Sequence, residues 1–143
     1  YIIAPPEIID VAKKVHDFLT VGAAAPLQEA VIPGLRFGRS YYDELREKYT
    51  RKKNLFLKGL DEIGLVHTNP EGAYYVLLDI SEFSYESDLT FCEALAEKVG
   101  VGAVPGSSFF REPVNHLIRL HFAKKDETLY EALNRLESIR KKM

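Results

Sequence analysis

The 143-residue chain has a single cysteine, no excess of charge of either sign and no long apolar run. Cys92 has no partner for a disulfide within the chain, and a lone thiol is typical of a reducing, cytoplasmic compartment. Lysine and arginine number 19 against 21 aspartate and glutamate residues, so no electrostatic footprint for nucleic acid is present. No apolar stretch approaches the roughly 18 residues of a membrane-spanning helix. We therefore predict a cytoplasmic protein that binds neither nucleic acid nor membranes.

The remaining composition indicates one globular domain or slightly more. Apolar residues make up 46% of the chain and charged residues 28%, which excludes disordered, collagen-like and coiled-coil proteins. A chain of this length buries roughly 68–70% of its unfolded surface, so its core needs neither disulfides nor a structural metal. The 4 histidines stand singly, without a second His or Cys at metal-ligand spacing. We therefore predict no metal site.

Apolar residues that recur every three or four positions predict a series of helices with recognisable ends. Pro6 suits a first helical turn, Ser40 and Asp126 are candidate N-caps, and Gly64 and Gly100 are candidate stop signals. The predicted helices cover about residues 6–19, 26–30, 40–63, 88–99 and 126–139. The third of these is long enough to connect two units.

Three short segments rich in aromatic and β-branched residues predict strands. They cover residues 73–80, which follow a clear turn at 69–72, residues 101–104, which precede a turn at 105–108, and residues 117–122. From residue 40 onward the order is helix, strand, helix, strand, strand, helix. This order predicts an α+β fold, or α/β sandwich, in which helices cover a small sheet.

Most reactive side chains outside the last strand have a structural interpretation. Cys92 shares the inner stripe of its helix with Ala96, and no neighbouring cation in the sequence would activate the thiol, so we expect core packing. Ser107 lies in a turn and lacks the Gly-x-Ser-x-Gly frame of a nucleophile. Tyr74 and Tyr75 are adjacent in a strand, so we expect one in the core and the other free to line a pocket.

Arg119 is the strongest candidate for binding chemistry. Strand alternation places Ile118 and Leu120 on one face and Arg119 on the other, together with His121, which could help to line a site. A sheltered guanidinium requires an anion, and its planar fork matches a carboxylate through two parallel hydrogen bonds. The residues alone leave two partners open: an external carboxylate, or an acidic side chain of the chain itself such as Asp79.

Five segments stand in an order and at a spacing that are hard to reach by chance. They are YIIAP at 1–5, GAAAPLQEA at 22–30, PEGAYY at 70–75, VPGSSF at 104–109 and IRLHFA at 118–123. Together they resemble the C-terminal part of class I/II aminotransferases with the pyridoxal-phosphate fold. The resemblance implies that residues 1–39 are the end of the large cofactor domain plus the interdomain segment. It further implies that residues 40–143 form the small domain, with a mostly antiparallel sheet and a long connecting helix.

The resemblance also implies a role for Arg119 and a place for the cofactor. Arg119 matches the arginine that binds the substrate α-carboxylate, so amino acids and 2-oxo acids are the expected substrates. The lysine that anchors pyridoxal phosphate lies ahead of the position matching Tyr1, so we expect no catalytic or cofactor-binding residue in this chain. We also expect the chain to be part of a longer, homodimeric enzyme and to be inactive in transamination by itself.

A second interpretation from another functional class is compatible with the same residues. The chain could be a stand-alone, non-enzymatic α+β module that binds a carboxylate metabolite or a partner chain through Arg119. The resemblance implies that the residues which usually contact the substrate side chain lie outside this sequence.

Overall fold

The computed structural model describes all 143 residues, which divide into two compact units, Tyr1–Tyr42 and Asp43–Met143. The first unit contains α1 (Pro6–Thr20) and α2 (Ala25–Leu35). Helix α1 matches its prediction, whereas α2 extends beyond the predicted 26–30 and contains Pro33 in its last turn. No side chain of α1 or α2 is buried, so the apolar stripe predicted for α1 is exposed.

The second unit is built on a three-stranded antiparallel sheet. Its strands are β1 (Tyr75–Asp79), β2 (Val104–Pro105) and β3 (Leu117–His121), in the spatial order β1, β3, β2. The predicted α+β fold with a small antiparallel sheet is therefore confirmed. Strand β1 begins two residues later than predicted because Ala73 has a left-handed φ of 56°. Strand β2 covers residues 104–105 instead of 101–104, and the predicted turn after it is a 3₁₀ turn, Gly106–Phe109.

The long helix is α3 (Arg39–Ile63), which matches its prediction closely. It begins one residue early, so Ser40 lies inside the helix rather than at the predicted N-cap. It ends at Gly64, whose φ of 78° is the left-handed conformation that glycine adopts without strain.

Helix α4 (Asp88–Ala94) begins with a capping box and ends in a wider turn. The Ser87 hydroxyl accepts a hydrogen bond from the Thr90 backbone N–H, and the Thr90 hydroxyl accepts one from the Ser87 N–H. The helix continues as a π-helical segment, Leu95–Val99, whose wide turn leaves Ala96 exposed. The prediction that Ala96 faces inward was therefore wrong.

The C-terminal helices are α5 (Asp126–Leu136) and α6 (Ile139–Lys142). The sequence pattern predicts that Asp126 caps α5, and this prediction was wrong. The Asp126 carboxylate instead accepts two hydrogen bonds from Arg51 at 2.6 and 3.1 Å. Ile139 is buried as predicted but belongs to the separate helix α6. Asp126 is therefore an anchor between α5 and α3.

One face of the sheet forms the core with the surrounding helices. Val76 and Leu78 of β1 and Ile118 and Leu120 of β3 are buried on this face. They belong to one cluster with side chains from α3, α4, the π-helical segment, α5 and α6. Arg119 therefore projects from the opposite face of the sheet. None of the helices is both long enough and apolar enough to span a membrane.

Replacing Gly100 should destabilise the second unit, whereas replacing Gly102 should not. Gly100 ends the π-helical segment at φ 79°, and a left-handed conformation costs an L-residue about 1–2 kcal/mol. Gly100→Ala should lower the free energy of unfolding by about that amount in urea denaturation. Gly102 has no heavy atom within 4 Å of an added Cβ, so Gly102→Ala is the matched control. Equal free energies of unfolding for the two variants would contradict the conclusion that an L-residue at position 100 is strained.

Candidate functional site

Arg119 occupies the middle of the central strand. It lies opposite Leu77 of β1 and Val104 of β2 in the antiparallel register. Its neighbours Ile118 and Leu120 are buried, and Arg119 itself is half-buried on the other face. The alternation predicted for this strand is therefore confirmed.

Two aromatic rings hold the Arg119 guanidinium. Its Cζ lies 3.7 Å from the centroid of the Phe109 ring and 4.1 Å from the centroid of the Tyr75 ring. Both distances are within cation–π range, and a flat guanidinium stacks on aromatic faces while keeping its N–H edge available. We call Arg119, Tyr75 and Phe109 the arginine site.

The arginine site contains no acidic partner for the guanidinium. Asp79, the internal candidate, lies opposite Leu117 in the register and accepts a hydrogen bond from the Ser81 N–H at 2.8 Å. Hydrogen bonds from the side chain and backbone of Ser81 lower the pKa of the Asp79 carboxyl. No ion pair or hydrogen bond joins Arg119 to another residue, and no buried side-chain nitrogen is left unpaired. The guanidinium nitrogens are therefore open to an external anion.

Tyr74 and Tyr75 do not separate to opposite faces, contrary to the prediction from strand alternation. Their ring centroids are 4.5 Å apart, and the Tyr75 hydroxyl donates to the Tyr74 hydroxyl at 3.3 Å. The reason is that Tyr74 lies ahead of β1, directly after the left-handed Ala73. This hydrogen bond raises the pKa of Tyr74. Neither tyrosine is buried in the core, and the centroids of the Tyr74 and His121 rings are 6.4 Å apart.

Phe109 has no counterpart among the residues singled out from the sequence. Phe109 is the last residue of the 3₁₀ turn. This turn lies close to β3: a Cβ added to Gly106 would be 2.4 Å from the Leu117 carbonyl oxygen. Only glycine permits this approach. The Pro105-Gly106 pair indicates a turn in the sequence. It does not indicate which aromatic side chain the turn places on Arg119.

A surface groove lies away from the arginine site. Its volume is about 790 Å³, and it lies between α3 and α5. Its two cationic side chains have internal partners, since Arg51 pairs with Asp126 and Lys58 lies 3.6 Å from Glu62. We favour the arginine site as the functional site because its cation has no such partner.

Cys92 is a core residue, as predicted. Burial raises the pKa of its thiol to about 11, so the thiol stays protonated and unreactive at neutral pH. No group of three or more His, Cys, Asp or Glu side chains is arranged to hold a metal ion.

Comparison with known proteins places the chain in a family. Residues 1–136 match the family model described as aminotransferase class I and II. Methionine aminotransferase of Escherichia coli K12 is 38% identical over 140 residues, which cover 97% of this chain and 36% of that protein. A probable N-succinyldiaminopimelate aminotransferase of Mycobacterium tuberculosis is 33% identical, over 92% of this chain and 36% of its own length.

Solved structures give the same result. N-succinyldiaminopimelate aminotransferase from M. tuberculosis superposes with a TM-score of 0.83 at 34% identity, covering 95% of this chain and 36% of that one. The E. coli methionine aminotransferase gives a TM-score of 0.82 at 37% identity, with the same coverage of 95% and 36%. The chain belongs to the class I and II aminotransferases, and it spans about 36% of the length of these relatives.

The family implies pyridoxal phosphate as cofactor. The arginine site supplies one cation between aromatic rings. It offers neither the several donors that a phosphate group needs nor a carboxylate to pair with a ring nitrogen. These residues by themselves do not fit the cofactor, so no step through it is assigned to them.

Removing the charge of Arg119 should raise the pKa of His121. Burial, Lys124 and Arg119 all lower this pKa, because each disfavours the imidazolium form. Arg119→Leu removes one of these effects, so His121 should titrate at higher pH in an NMR titration of its ring protons. Lys124→Gln should act in the same direction, and Lys58→Gln, which removes a lysine paired with Glu62, is the control. An unchanged His121 pKa in Arg119→Leu would contradict the electrostatic coupling.

Proposed function

We propose that this chain is the C-terminal portion of a pyridoxal-phosphate-dependent amino-acid aminotransferase. In this proposal residues 1–39 complete the large domain and the interdomain segment, and residues 40–143 form the small domain. Arg119 binds the α-carboxylate of amino-acid and 2-oxo-acid substrates. The observation that carries the proposal is a guanidinium without an internal acid, held on one face of the sheet in a chain of this family.

The geometry of the arginine site suits capture of a carboxylate. Two parallel N–H groups of a guanidinium can donate to both oxygens of one carboxylate. Contact with Tyr75 and Phe109 restricts the guanidinium before substrate arrives, which reduces the ordering cost of binding. A carboxylate fixed at two points also fixes the direction of the substrate amine, which is the positioning that a two-substrate reaction requires.

The remaining chemistry belongs to other parts of the enzyme in this proposal. Pyridoxal phosphate, when bound, supplies the electron sink for transamination. The residues of this chain bind and orient the substrate acid, and we propose that the chain alone does not transaminate. Homodimeric assembly and a cytoplasmic location stay predictions that follow from the family resemblance and the lone cysteine.

Arg119→Lys in the full-length enzyme should raise KM for every amino-acid and 2-oxo-acid substrate. A lysine keeps the charge but loses the second parallel hydrogen bond and the stacked plane. A lost hydrogen bond to a charged group costs about 1.5–3 kcal/mol, so the expected rise in KM is about 10- to 100-fold. Steady-state kinetics with several donor amino acids measures it.

The matched control is Arg46→Lys. Arg46 is an exposed arginine that pairs with Asp43 at 3.1 Å on α3, and its replacement should leave KM unchanged. An unchanged KM in Arg119→Lys would refute the carboxylate-binding role. Carboxylate binding by a full-length protein without transaminase activity would favour the non-enzymatic module instead.

A further inference from the structure

Asp88 is the only charged side chain in the buried set of this chain. It is 2% exposed, and both of its carboxylate oxygens bond to one residue. Oδ2 accepts a hydrogen bond from the Ser107 backbone N–H at 2.7 Å, and Oδ1 accepts one from the Ser107 hydroxyl at 3.1 Å. Both oxygens of the buried carboxylate thus hydrogen-bond to the same residue of the 3₁₀ turn, Ser107.

A buried carboxylate is an expensive way to stabilise a fold. Burying a carboxylate costs more free energy than burying an apolar side chain of similar size, unless hydrogen bonds or an opposite charge compensate its charge. Asp88 is the first residue of α4, where the helix dipole favours a negative charge, and the Ser107 donors satisfy the remainder. Such a group fixes geometry, because its hydrogen bonds form only at one position of the turn.

The point that Asp88 fixes lies close to the arginine site. Ser107 stands two residues before Phe109 in the same 3₁₀ turn. Gly106, on the other side of Ser107, is held against the backbone of Leu117, two residues before Arg119 in β3. The 3₁₀ turn that leads into Phe109 is therefore held at two consecutive residues, Gly106 and Ser107.

We propose that Asp88 and Ser107 are positioning residues that hold Phe109 on the guanidinium and so preorganise Arg119 for the substrate carboxylate. This inference rests on the proposed function of Arg119. Asp88 touches no substrate in this proposal; it acts through the 3₁₀ turn. Its loss should weaken binding of the acid without removing any group that binds the acid directly.

Three variants of the full-length enzyme separate the role of the hydrogen bonds from that of the charge. Asp88→Ala removes both bonds to Ser107, and KM for all substrates should rise about tenfold, with kcat changed by less than about twofold. Ser107→Ala removes one of the two bonds, and its KM should rise about threefold. Asp88→Asn retains one acceptor for the Ser107 N–H and one donor for its hydroxyl, so KM should return to within about twofold of the parent value.

The control is Glu93→Ala, which removes an exposed carboxylate from the same helix and should leave KM unchanged. Thermal unfolding of each variant is recorded alongside the kinetics. If Asp88→Ala does not fold, Ser107→Ala decides the question, because it leaves the buried carboxylate and the backbone hydrogen bond in place.

The outcomes distinguish failure of the positioning role from failure of the proposed function. An unchanged KM in folded Asp88→Ala or in Ser107→Ala, together with a raised KM in Arg119→Lys, overturns the positioning role alone. A loss of kcat with KM unchanged in Asp88→Ala also overturns it. An unchanged KM in Arg119→Lys overturns both proposals, whereas graded KM increases in Asp88→Ala and Ser107→Ala, with recovery in Asp88→Asn, support the positioning role.

Discussion

The candidate site of this chain depends on one half-buried cation that has no acidic partner. The Arg119 guanidinium has no acidic partner, and aromatic rings from a neighbouring strand and from the 3₁₀ turn contact it instead. Cation–π contacts hold such a group without consuming its hydrogen-bond donors. The site can therefore be both ordered and available, which an internal ion pair would prevent. Tyr75 contacts this cation from β1, and the close approach of the 3₁₀ turn at Gly106 accompanies the contact of Phe109.

Regular elements and the family could be predicted from the sequence because they depend on local patterns. Periodic apolar residues and the stop at Gly64 predicted α3 nearly residue by residue. Alternation in β3 correctly separated Arg119 from its buried neighbours. These signals are repeated over many positions, so one exceptional residue does not change the outcome.

The errors arose where one backbone angle or one long-range contact overrides the pattern. Ala73 adopts a left-handed φ that glycine usually takes, and this moves Tyr74 out of the strand and beside Tyr75. Asp126 is engaged by Arg51, 75 residues away, so it is not free to cap α5. Phe109 reaches Arg119 only through the folded 3₁₀ turn. Nothing in the local sequence around these residues records such partners.

The strand that carries Arg119, the proposed acid-binding residue, also contributes to the core. Ile118 and Leu120 flank Arg119 and are packed among the helices. A strand transmits any tilt of its backbone to both of its faces, since successive side chains project in opposite directions. If Arg119 binds the substrate acid as proposed, resistance to unfolding and recognition of the ligand's negative group are mechanically linked at β3. A change of side-chain volume on the core face of the sheet is expected to alter the orientation of the guanidinium on the opposite face.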